Sequence, residues 1–152
     1  MPEPAALAEH EHGLLRGLVH AAYWLDDGLQ AYMQTHAGVS LPRAQSMAMV
    51  YLTEGVDRPS DLAATLAVSK QAAQQVLKAL AGKGIIEMQP DPVNGRQKRV
   101  VLTSYGRELQ AVARRGLYSL ETELMRRIGA RHVTSLRRAL HADWGQAPDE
   151  GR

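Results

Sequence analysis

Apolar residues recur at three- and four-residue spacing through most of the chain, and that period predicts helices. Leu7, Leu14, Leu15, Leu18, Val19, Ala22, Leu25, Leu29, Tyr32 and Met33 mark a first helix of about 30 residues, closed by Gly38. A helix of that length without caps either bends or packs against a second chain. Ser40 is then the expected N-cap of a helix with Pro42 in its first turn, Met47, Val50 and Tyr51 inward, and a stop near Gly55. Arg58-Pro59-Ser60-Asp61-Leu62 opens a third, two-turn helix with Leu62, Ala63 and Leu66 as its stripe. After Ala67-Val68, Ser69 caps a fourth, in which Ala73, Val76, Leu77 and Leu80 fall at i, i+3, i+4 and i+7.

Beyond Gly82 and Gly84 the chain changes character. Residues 85–89 and 98–103 read as two strands, and Pro90-Asp91-Pro92-Val93-Asn94-Gly95 between them supplies hairpin turn chemistry. Thr103 then caps a long helix carrying Leu109, Val112, Ala113, Gly116, Leu120, Leu124 and Ile128. After Gly129 a last helix carries Val133, Leu136 and Leu140. These terminal stripes exceed what one small domain can cover, which points to burial against a partner chain.

The polar side of the fourth helix narrows the function. Lys70, Gln71, Gln74, Gln75 and Lys78 face away from its apolar stripe. Two short helices joined by a tight turn, the second presenting amides and ammoniums, match a helix-turn-helix whose second helix enters the DNA major groove. Gln pairs bidentately with adenine and Lys reaches guanine acceptors or phosphate. Arg96, Lys98 and Arg99 make the following hairpin basic, as in the wing of a winged helix.

Composition excludes more than it selects. The chain has 152 residues and no cysteine, so disulfides, thiolate metal sites and thiol catalysis are ruled out. With no phenylalanine, the core must come from Leu, Ala, Val, Met and Ile. The start, MPEPAALAEHEH, lacks the basic and apolar regions of a signal peptide, and no apolar run approaches the roughly 18 residues of a membrane span, so a cytoplasmic location without membrane partners is expected. Net charge is +2, unevenly spread: two basic and seven acidic side chains in residues 1–57, eight and three in 58–107, eight and six in 108–152. The middle of the chain attracts a polyanion. No serine elbow, phosphate-binding glycine loop or paired carboxylates on a shared strand mark an enzyme.

The run RPSDLAATLAVSKQAAQQVLKALAGKGIIEMQPDPVNGRQKRVVLTSYG resembles the winged-helix core of the MarR family of bacterial transcriptional regulators. Leu62-Ala63, Val68-Ser69, Lys83-Gly84 and Leu102-Thr103 with Gly106 carry most of the likeness. The resemblance implies a homodimer, built by the N- and C-terminal helices, that binds a pseudopalindromic operator in double-stranded DNA, acts most often as a repressor, and is released by a small-molecule effector. It implies that Ser69 to Lys78 form the recognition helix and that Arg96 is the wing-tip arginine. Asn94 departs from the family pattern, which has an aspartate two residues before that arginine; an Asn would hold the guanidinium by a neutral bond of roughly half the strength.

Two other clusters remain. Glu9, His10, Glu11, His12 and His20 have metal-ligand residue types, but alternating His and Glu at a chain end reads as a solvated tail, so no metal or cofactor is expected. Tyr23, Trp24 and Asp27 are candidates to line an effector pocket, and an aromatic at helical spacing also suits a core or interface. The expected architecture is mainly α: a winged helix-turn-helix with a two-stranded wing at 39–102, helical dimerisation segments at 1–38 and 103–147, and a disordered tail at 148–152. The candidate DNA-binding set is Ser69, Lys70, Gln71, Gln74, Gln75, Lys78, Arg96, Lys98 and Arg99. The rival reading is a winged helix that docks another protein, which would expose apolar anchors in place of these cations.

Overall fold

The computed structural model describes residues 13–149. Among them the order is α1 (Leu14–Ala37), α2 (Arg43–Thr53), α3 (Pro59–Thr65), α4 (Lys70–Gly82), β1 (Ile86–Pro90), β2 (Lys98–Leu102), α5 (Ser104–Ile128) and α6 (Ala130–Leu140). This is the mainly helical winged-helix architecture that the periodicity predicts. Leu7, Glu9, His10, Glu11 and His12, and residues 150–152 of the expected tail, lie outside the described residues.

The winged core forms around the apolar face of α4. Ala73, Leu77 and Leu80 are buried there with Leu62 of α3, Ala48 of α2, and Ile85, Ile86 and Val100 at the base of the wing. The Ser69 hydroxyl accepts the Ala72 N–H at 3.0 Å and fixes the start of α4. The turn before it places Ala67 at φ 53°, a left-handed conformation that glycine adopts more readily. At the other end Gly84, φ +73°, redirects the chain into Ile85. The strands pair antiparallel with Ile86 opposite Leu102 and Pro90 opposite Lys98. A further bond, Val100 N–H to Asp57 O at 2.7 Å, fastens β2 to the segment before α3.

The start of α2 differs from expectation. Pro42, not Ser40, occupies its cap position and makes no side-chain cap bond. Leu41 N–H donates to Gln30 Oε1 at 2.6 Å, which draws the connecting loop onto α1 and delays the helix. The inward face shifts with it: Ser46 and Ala48 are buried, whereas Val50 is 46% exposed. Three apolar positions on an 11-residue helix do not fix its rotation.

Helices α1 and α5 cross antiparallel at two glycines. A Cβ on Gly28 would stand 2.6 Å from Leu120, and one on Gly116 would stand 2.8 Å from the Tyr32 ring. The junction of wing and α5 is as tight: Thr103 Oγ1 accepts the Gly106 N–H at 2.9 Å and lies 2.5 Å from Gly84 O. A Cβ on Gly106 would collide with the Ile85 carbonyl. Farther along, Glu123 bonds Arg126 and Arg127, and hydrogen bonds from Arg126 and then Arg127 hold its carboxyl at about 2. Helix α6 folds back on α5, burying Val133 and pairing Arg137 with Glu121. Leu14 and Leu15 at one end of α1, and Ile128, Leu136, Leu140 and Trp144 at the C-terminal end, stay exposed on the protomer.

Gly106→Ala should destabilise the fold by roughly 1–3 kcal/mol, because the backbone carbonyl it meets cannot yield cheaply. Gly82→Ala, at the end of α4 with open space around it, should be neutral or stabilising by up to about 1 kcal/mol. Urea denaturation of the two variants checks the contrast.

Candidate nucleic-acid interface

Burial of Ala73, Leu77 and Leu80 forces the opposite side of α4 outward, and Ser69, Lys70, Gln71, Gln74, Gln75 and Lys78 are all exposed there. Lys70 and Gln74, one turn apart, face the wing. With Arg58, Ser60, Gln97 and Lys98 they line an open basin of about 230 Å³ between helix and hairpin. Gln71, Gln75 and Lys78 continue the same exposed surface along α4. The arrangement offers amide groups flanked by cations, a combination suited to base edges framed by phosphates.

The wing residues divide. Arg96 and Lys98 are exposed at and beside its tip. Arg99 is drawn inward: its guanidinium lies 3.8 Å from the Asp57 carboxylate, and its Nε is shut away from solvent. It pairs β2 with the segment before α3, and its side chain is less exposed than those of Arg96 and Lys98. Asn94 also acts differently from the expectation. Its Oδ1 accepts the main-chain N–H of Arg96 at 3.3 Å, so it shapes the turn instead of holding the guanidinium.

The turn is organised by Asp91, which sequence reasoning passed over as loop chemistry. Its Oδ1 accepts from Val93 N–H at 2.8 Å and Asn94 N–H at 3.2 Å, and its Oδ2 accepts from Arg58 at 2.9 Å. The bonds from Val93 and then Asn94 hold the Asp91 carboxyl below its ordinary value of 3.8; burial opposes them, and the charge and hydrogen bond of Arg58 add smaller lowering effects. Arg58 stands 33 residues away, and no local pattern links the two.

Tyr23, Trp24 and Asp27 do not line the apolar cavity that the fold contains. Tyr23 lies under the Arg43 guanidinium at 3.8 Å, Arg43 pairs with Asp27 at 2.6 Å, and Trp24 lies 5.9 Å from the Arg127 guanidinium. The cavity, of about 170 Å³, sits between α1, α2 and α5, where Leu29, Met33, Met49, Leu109, Ala113 and Leu117 form an apolar wall. Gln30, Ser46 and Arg114 add polar groups to its lining. Two of these belong to a network around Asp26, a carboxylate only 5% exposed. Asp26 accepts from Ser46 Oγ at 2.6 Å, Gln30 Nε2 at 3.1 Å and Arg43 Nε at 3.2 Å. A buried carboxylate persists only with such partners. An acid beside its twin Asp27 gave no sequence signal that one would be interior. Among the described residues no group of His, Asp and Glu is placed to hold a metal, and no helix is long and apolar enough to cross a membrane.

Residues 38–97 match the family model of the MarR family. Over these residues the winged-helix segment is similar to the MarR family. Beyond that segment, the fold is that of MarR-family regulators across most of the chain. The reduced form of MarR from E. coli superposes with a TM-score of 0.68 at 24% identity, covering 84% of this chain and 93% of that one. A mutant E. coli MarR complexed with operator DNA gives a TM-score of 0.64 at 25% identity, covering 86% and 94%. RV1404 from Mycobacterium tuberculosis gives 0.69 at 20% identity, covering 99% of both chains. Among curated proteins none matches this chain.

Ser69→Ala should cost about 1 kcal/mol by removing the cap of α4, and Ser69→Gly only a few tenths; urea midpoints of both variants check it. The Asp91 carboxyl should titrate by NMR with a midpoint below 3.8. Because its folded pKa is depressed, its contribution to stability is complete above the unfolded value and is lost as pH falls through the folded one.

Proposed function

We propose that this chain is a sequence-specific DNA-binding transcriptional regulator, acting as a homodimer on a pseudopalindromic operator and repressing the genes beside it. The observation that carries the reading is the exposed Gln and Lys face of α4 set beside a cationic wing, with Arg58, Lys70 and Lys98 around one basin. In this reading Lys70, Lys78 and Lys98 neutralise phosphates, Gln71, Gln74 and Gln75 discriminate bases, and Arg96 reaches the minor groove. The operator-bound MarR mutant of similar fold supports the assignment. Support for the dimer comes from the exposed apolar side chains at the ends of α1 and α6, which a second copy would cover. Two-fold symmetry would then set the α4 helices about one helical turn of DNA, or a multiple of it, apart.

The cavity between α1, α2 and α5 supports regulation by a small, largely apolar effector. Its walls come both from the terminal helices and from the winged core, so an occupant would bear on their relative placement. In that role Gln30, Ser46 and Arg114 replace Tyr23, Trp24 and Asp27 as the polar contacts.

The deciding experiment is a fluorescence anisotropy titration with DNA from immediately upstream of the chain's own gene and with a random-sequence pool, against scrambled DNA, at two salt concentrations. Tight, selective and salt-dependent binding is expected. Binding that is absent, or indifferent to sequence on both DNAs, would move the weight to a protein-docking winged helix. Gln74→Ala should relax preference at one operator position, by about 1–3 kcal/mol, and leave scrambled DNA unaffected. Arg96→Ala should weaken binding on every sequence and make the salt dependence shallower by about one unit of slope.

A further inference from the structure

The tie between Arg58 and Asp91 lies where the DNA-binding reading needs rigidity, yet that reading gives their pairing no role. Asp91 follows β1 directly and is 6% exposed. One carboxylate oxygen gathers the N–H groups of Val93 and Asn94, and the other takes the Arg58 guanidinium at 2.9 Å. Its own N–H closes the loop on Gln97 O at 2.8 Å. Arg58 immediately precedes Pro59, the first residue of α3, so the bond runs from the wing tip to the first helix of the helix-turn-helix. The other wing tethers, Val100 to Asp57 O and Arg99 to the Asp57 carboxylate, hold β2 nearer the sheet's base. Asp91 therefore supplies the attachment at the tip. A two-stranded hairpin with no tip attachment is a weakly held lever.

We propose that Asp91 is the positioning residue of the wing: without touching DNA, it sets through Arg58 where Arg96 and Lys98 stand relative to α4. The proposal rests on the DNA-binding reading above. It also reverses the sign expected from charge alone. Neutralising a carboxylate close to a polyanion strengthens binding electrostatically, whereas releasing the wing weakens it by the cost of ordering Arg96 anew.

The test uses the full chain and the operator selected above. Asp91→Asn keeps an oxygen for the Val93 and Asn94 N–H groups but removes the charge-assisted bond to Arg58. Operator and scrambled DNA should both bind about tenfold more weakly, with the salt slope shallower by about one. Arg96→Ala, costing about tenfold in the native background, should cost less than twofold in the Asp91→Asn background. Equal or tighter binding by Asp91→Asn, or the same Arg96→Ala cost in both backgrounds, would overturn the proposal. Should Asp91→Asn lose its cooperative thermal transition, Arg58→Gln severs the tie from the other side, and the Arg96→Ala cost in that background decides on the same criterion. A DNA-free measurement separates this proposal from the regulator reading. NMR order parameters for residues 93–97, which lie in the loop Asp91 organises, should fall from about 0.85 to below about 0.6 in Arg58→Gln. Unchanged order refutes the tie, while a native protein that selects no DNA refutes the regulator and leaves the order parameters to judge Asp91.

Discussion

Everything on the exposed side of α4 follows from the burial of its opposite face. Ala73 and Leu80 are fully enclosed and Leu77 nearly so, and a helix has no freedom to turn once three residues on one stripe are held by neighbours from α2, α3 and the wing base. Gln71, Gln74, Gln75 and Lys78 are outward because their neighbours in sequence are inward. Burial of each large aliphatic side chain contributes about 1.5–3 kcal/mol, far more than any surface contact those polar groups could make within the chain. The core thus supplies the orientation, and the exposed side chains are left uncommitted for a partner.

The wing depends on a different kind of interaction. Two strands of five residues do not hold themselves in place. Their base is anchored apolarly, by Ile86 and Val100, and sterically by the close approach of Gly106 to Ile85. Their tip is anchored electrostatically by Asp91 and Arg58. A similar division holds on the other side of the molecule. There α1 and α5 interlock at Gly28 and Gly116, while α1 meets α2 through the polar network of Asp26, Gln30, Ser46 and Arg43 at the margin of the apolar cavity. Close packing fixes the helical frame. Hydrogen-bonded charges, which have discrete alternative arrangements, lie where the winged core joins that frame.

The elements, their order and the exposed face of α4 were determined by the sequence alone, because each rests on local chemistry. Apolar spacing of 3.6 marked α4, the Ser69 and Thr103 hydroxyls capped the helices they precede, and turn residues between two strand-like stretches marked the hairpin. The tertiary structure decided what depends on partners distant along the chain. It pairs Asp91 with Arg58 across 33 positions and Asp26 with Ser46 across 20, withdraws Arg99 toward Asp57, and starts α2 after Pro42 because Gln30 holds the loop. It also opens the cavity away from Tyr23, Trp24 and Asp27. A period reports which side of one helix is apolar, whereas a buried carboxylate or a cavity is defined by several elements meeting, and no single segment encodes that meeting.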